Sequence, residues 1–162
     1  MARDRDEQGR ARNARPRDAA GRPLPHGAEG VDRVPEDLVL APADAVAETQ
    51  RLLDEGLPFQ AHEVLEGVWK SSGPETRELW RAMAQVAVGL THAQRGNARG
   101  AVSLLDRGAE GIRAWRVGAT APVPAGLDLD GLCRHADELA AQIGRSPDAP
   151  VPAERLAPHL RG

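Results

Sequence analysis

Residues 61–69 read Ala-His-Glu-Val-Leu-Glu-Gly-Val-Trp. His62 and Glu66 stand four apart, and on a helix that spacing places both on one face. A neutral imidazole and a carboxylate so arranged suit a divalent metal such as zinc, iron or manganese. Two or three such ligands with an open position can activate a water for hydrolysis. The order differs from the zinc-protease pattern His-Glu-x-x-His, because Glu66 sits where the second histidine belongs. On a helical wheel Glu63, the residue that pattern would make the base, turns toward water. The pair that could do chemistry is therefore His62 with Glu66, at the edge of an apolar arc that ends at Trp69.

Further ligands must come from another helix. The segment from Leu79 to Leu90 is apolar over most of its circumference, which leaves a narrow stripe of Arg81, Gln85, Gly89 and His92. If the two helices pack antiparallel, Gln85 and His92 can meet His62 and Glu66, and bundle interiors are where helical proteins build metal and ligand sites. The candidate ligand-binding set is thus His62, Glu66, Gln85, His92 and Trp69, with His62, Glu66 and His92 as the candidate metal ligands. The repeated Glu-x-x-His of di-iron bundles is missing. Two plainer readings stand beside a metal or small-ligand site: a buried hydrogen-bonded pair that fixes the helix, and an exposed pair without a role.

The elements that position these residues follow from periodicity and punctuation. Pro42 starts a first helix and Gly56 stops it; a second runs from Pro58 to about Ser71; a third starts at Pro74 and reaches Arg95. Gly96 as a C-cap and Asn97 as an N-cap predict a tight turn into a fourth helix. There Ala101, Leu105, Gly108, Ile112 and Trp115 form one apolar stripe. Asp128 or Asp130 caps a fifth, with Leu132, Ala136, Leu139, Ala140 and Ile143 inward, and Gly144 closes it. No stretch alternates with period two. The expected class is all-α, an antiparallel bundle of four to five helices over residues 37–145.

Residues 1–36 interleave Arg3, Arg5, Arg10, Arg12, Arg15, Arg17 and Arg22 with acidic residues and carry almost no large apolar groups. Such a segment reads as an extended or disordered arm. Residues 146–162 form a proline-rich tail in which Leu156 and Leu160 either dock or trail. A net charge of -3 gives no general attraction to nucleic acid, so RNA or an acidic partner concerns the arginine arm alone. Cys133 is the single cysteine, which leaves no internal disulfide. The opening residues lack the apolar run of a secretory signal, and no apolar run approaches membrane-spanning length. The expected location is the cytoplasm.

The wording "LPFQAHEVLEGVW", the helix "RAMAQVAVGLTHAQRGNARGA" and "LLDRGAEGI" together resemble the family called domain of unknown function 309 over roughly residues 43–115. The matching positions are Phe59, Ala61, His62, Glu63, Glu66, Trp69, Gln85, Arg95, Gly96, Asn97, Gly100 and Ala101. The arm resembles that of actinobacterial members. The resemblance implies an all-α fold and no established activity, and Gly89 departs from the commoner wording on the polar side of the third helix. The hairpin of the third and fourth helices is also similar to one tetratricopeptide unit, although no 34-residue repetition follows.

These readings lead to a small helical-bundle protein that works by binding a protein partner or a small ligand near His62 and Glu66. The alternatives are a metal-dependent hydrolase that uses His62, Glu66 and His92, and a tethering protein that uses its arginine arm on RNA or a partner. Oligomeric state is not legible.

Overall fold

The computed structural model describes residues 17–24, 29–30, 34–35 and 39–162. Most of the segment read as an arm, and with it Arg3, Arg5, Arg10, Arg12 and Arg15, lies outside the described residues. Among the described residues five α-helices follow one another: α1 (Pro42–Asp54), α2 (Pro58–Ser71), α3 (Arg77–Gln94), α4 (Ala98–Gly118) and α5 (Leu129–Arg145). Each packs against the next in the chain, the up-and-down arrangement that short links impose. Among the described residues no strand forms. The fold is an all-α bundle.

Local chemistry sets the boundaries. Pro42 and Pro58 open α1 and α2 at positions where a missing N–H costs no helical bond. Pro74 does not open α3: residues 74–76 form a turn and the helix proper starts at Arg77. Gly96 adopts φ +77°, and the Asn97 amide donates to the His92 carbonyl at 2.9 Å, a left-handed cap that a side chain would strain. Asn97 then caps α4 by accepting from the Gly100 amide at 3.1 Å, and Asp128 caps α5 in the same way through Gly131 at 2.9 Å. The chain thus reverses between α3 and α4 within three residues, Arg95 to Asn97.

α3 is the central element, packed between α2 and α4. Leu79, Trp80, Met83, Val86, Ala87 and Leu90 are buried along it. The predicted stripe on α4, Ala101, Leu105, Gly108, Ile112 and Trp115, is buried as read. Glycines let the α3–α4 backbones approach. A Cβ on Gly89 would stand 3.0 Å from the Leu105 backbone nitrogen, and one on Gly108 2.9 Å from that of Val86. Gly89 is therefore a buried contact with α4 rather than part of the polar stripe, which a wheel for α3 alone could not show.

The C-terminal tail docks. Leu156, Pro158 and Leu160 are buried, and the Gln50 side chain on α1 holds the tail backbone from both sides: its amide donates to the Pro158 carbonyl at 3.1 Å, and its oxygen accepts from the Leu160 amide at 2.8 Å. The Asp128 amide donates to the Leu160 carbonyl at 2.8 Å, so the tail ties α1 to the start of α5. No helix among the described residues is long and apolar enough to cross a membrane.

Candidate functional site

α2 carries its polar residues as a ladder. His62 Nε2 stands 3.4 Å from Glu66 Oε2, and Lys70 Nζ stands 2.7 Å from Glu66 Oε1, each pair four residues apart. The His62 and Glu66 side chains keep 22% and 32% of their surface accessible, so the pair sits at the rim of the core and Glu66 faces Lys70 and water. Glu63 is partly exposed as well; the contrast expected between a wet Glu63 and an inward Glu66 is absent, because both flank the same buried arc of Ala61, Leu65 and Val68.

His62 is the more enclosed partner. Burial pushes its imidazole below the ordinary value, against the Glu66 carboxylate and the Phe59 backbone, which both favour the charged ring. Burial thus favours the neutral ring. Among the described residues Nδ1 is buried and makes no hydrogen bond of ordinary geometry. The Phe59 ring lies 5.7 Å from the imidazole, centroid to centroid, tilted by 50°.

The remaining candidates lie elsewhere. His92 Nδ1 is 3.1 Å from the Asn97 side-chain amide, so His92 belongs to the α3–α4 turn; burial, with Arg95 nearby, lowers its pKa too. Gln85 is partly exposed on the side of α3 that faces α4. Trp69 is partly exposed, with the Arg81 guanidinium 5.9 Å from its ring centre, a cation–π arrangement. Among the described residues no three His, Cys, Asp or Glu side chains come together to hold a metal ion. The triad His62, Glu66 and His92 is thus not gathered, since the cap chemistry of Asn97 takes His92. Cys133 is buried, its thiol set against the Ala109 carbonyl and pushed up by burial, which disfavours the thiolate.

Gln85 and Arg81 lead into a feature that the motifs did not show. A groove of about 620 Å³ runs between the first turns of α3 and the last turns of α4. Ala82, Gly111 and Ala114 give it a floor of small residues, and Trp115 an aromatic wall. Gly111 keeps the floor low, because a Cβ there would stand 2.9 Å from the Ala82 Cβ. Glu75, Glu78 and Glu110 set carboxylates around it, against Arg81 and Arg107. The Trp115 indole donates to the Glu75 carbonyl at 2.8 Å, which fixes both wall and rim. The signal in the sequence was the repeated Gly and Ala on α4, legible only once the α3 partner is known. Gln60 was also missed. It is buried, its side-chain oxygen without a hydrogen bond among the described residues, and its place four residues before Val64 and eight before Val68 is what assigns it to the buried arc.

With this geometry in hand, the protein is an all-helical bundle built on a central hairpin, with a polar ladder on one flank and a groove on the other. Residues 46–104 match the family described as Domain of unknown function (DUF309), so the resemblance read from the motifs holds over those residues. The uncharacterized protein YpuF of Bacillus subtilis (strain 168) is 38% identical over 86 residues, which cover 52% of this chain and 48% of that protein. The chain spans about half the length of the curated relative it matches. No solved structure matches.

Proposed function

We propose that this protein is a binding module, and that the groove between α3 and α4 receives a segment of a protein partner. The observation that carries the reading is the groove itself: about 620 Å³ of open space over a floor of Ala82, Gly111 and Ala114. Surface concavities of this size with small floors and an aromatic wall suit an apolar stripe of side chains better than a solvated face. Charge narrows the partner. Three carboxylates against two guanidiniums surround the groove, and Arg81 is already paired with Glu78 at 3.5 Å. A segment with lysine or arginine flanking small apolar residues complements that rim.

In this reading the His62–Glu66–Lys70 ladder is a polar flank of the fold; the hydrolase alternative needs a third ligand, and among the described residues no three His, Cys, Asp or Glu side chains gather to hold a metal ion. The test is site-specific photocrosslinking in the producing cell. A photoreactive residue at Ala114, in the groove, is expected to capture a partner polypeptide that the same residue at exposed Ala47 on α1 does not. Identical capture patterns at the two positions would contradict the groove as the binding surface.

A further inference from the structure

The beginning of α2 carries a second contact surface, already occupied by the chain itself. Residues 17–24 form a turn. The Asp18 carboxylate accepts from the Arg22 amide at 2.8 Å, the Gly21 amide donates to the Asp18 carbonyl at 2.9 Å, and the Asp18 amide donates to the Arg22 carbonyl at 3.1 Å. Arg17 donates to the Gly21 carbonyl and closes the turn on itself.

The turn is seated on Phe59. Gly21 has φ +75°, and a Cβ there would overlap the Phe59 ring. The Arg17 guanidinium lies 4.9 Å from the centre of that ring and Arg95 lies 5.9 Å from it. Arg95 also donates to the Ala20 carbonyl at 2.7 Å, and Arg22 donates to the Arg95 carbonyl at 3.4 Å. Within the turn only Ala20 and Gly21 are buried. A segment held through so small a footprint opens far more easily than the core beneath it.

We propose that the Arg17–Arg22 turn is a displaceable strap on a receptor surface made by Phe59 and Arg95, and that its release opens the His62 end of α2 to a competing segment of the same chemistry. The strap shows what the surface accepts: a glycine laid flat on the Phe59 ring, an arginine stacked over it, and a backbone carbonyl for Arg95. The Phe59 ring touches both sides of this boundary: Gly21 lies on it, and the His62 imidazole, with its buried Nδ1, stands 5.7 Å from it. A partner that supplies the same arginine–glycine turn would displace the strap, and the exchange would be felt at His62. This surface lies at the start of α2, and the proposal stands or falls independently of the groove between α3 and α4.

The test uses the full chain. Phe59 is the only phenylalanine, so a chain carrying isotope-labelled phenylalanine reports that ring alone by NMR, and it should show Overhauser contacts to the Gly21 α-protons. Diethyl pyrocarbonate modification of His62, normalised to exposed His159, reports opening. Gly21→Val should abolish the Overhauser contacts and speed His62 modification several-fold while the helical circular dichroism is retained. Arg95→Met, which removes the bond to Ala20 without touching the turn, should act in the same direction. A synthetic peptide of residues 17–24 added to the Gly21→Val chain should slow His62 modification again, and the same peptide with valine at position 21 should not. Absence of Gly21–Phe59 contacts in the wild-type chain, or unchanged His62 reactivity in both variants, would overturn the proposal.

Discussion

His62 Nε2 faces the Glu66 carboxylate at 3.4 Å, while the other nitrogen of the same ring, Nδ1, is buried and among the described residues makes no hydrogen bond of ordinary geometry. The imidazole is anchored on one side, and burial favours its neutral form. A base whose folded-state pKa lies below its unfolded value binds its proton more readily when unfolded, so it favours folding above the unfolded value and loses that contribution as pH falls. Stability should therefore decline as pH drops below about 6.5, the ordinary imidazole value. His92 is shifted in the same direction and adds to the slope. Urea unfolding between pH 7 and 5 should show a shallower decline for His62→Gln than for the wild type. Equal slopes would mean that His62 is not held neutral by the fold.

Glu66 should matter little to stability. It is partly exposed and bridges His62 and Lys70 in a ladder open to water, where such pairs contribute about 0.2–1 kcal/mol. Glu66→Gln should thus lower the unfolding free energy by no more than about 1 kcal/mol. A loss several times larger would mark a buried charge pair instead.

The glycine contacts of the central hairpin should be costly to fill. Alanine at Gly108 gains about 1 kcal/mol of helix propensity, but its methyl would meet the Val86 backbone nitrogen at 2.9 Å and the Ala82 carbonyl at 3.0 Å. Two backbones cannot part locally without disturbing Leu105 and Ile112, so a net loss of about 1–3 kcal/mol is expected by chemical denaturation. Leu105→Ala, which empties a fully buried site on the same helix, should cost about 2–5 kcal/mol. A neutral Gly108→Ala would show that the helices are not in close contact there.

Much of this architecture was legible before any coordinates. The stripes on α4 and α5 and the stops at Gly56 and Gly96 follow from period and backbone chemistry within single segments, and they appear where read. What failed to transfer depended on relations between segments. His92 lies on the polar side of α3 as expected, yet Asn97 five residues later engages it in the turn, so it does not complete a site with His62. Gly89 looked like a gap in a polar stripe because its neighbour, Leu105, sits on another helix. The tail could be read either way, since two leucines among prolines declare nothing until Gln50 supplies bonds to the Pro158 carbonyl and the Leu160 amide.

That Gln50 clasp gives a further expectation. Gln50→Ala removes two hydrogen bonds to the tail, each contributing about 0.5–1.5 kcal/mol. The Leu160 amide should then exchange with solvent faster than amides of α3, and Leu160→Ala should cost about 2–5 kcal/mol in addition. Unchanged exchange at Leu160 would mean that packing alone holds the tail.

The groove between α3 and α4 is the centre of the functional account, and a single affinity measurement bears on it most directly. Ala114 is exposed on the groove lining, so Ala114→Trp fills the space without entering the core. Calorimetric titration of this variant against the partner captured from position 114 should show affinity at least about tenfold weaker, or about 1.4 kcal/mol, with an unchanged melting temperature. Wild-type affinity in the filled groove would contradict the assignment of that groove as the binding surface.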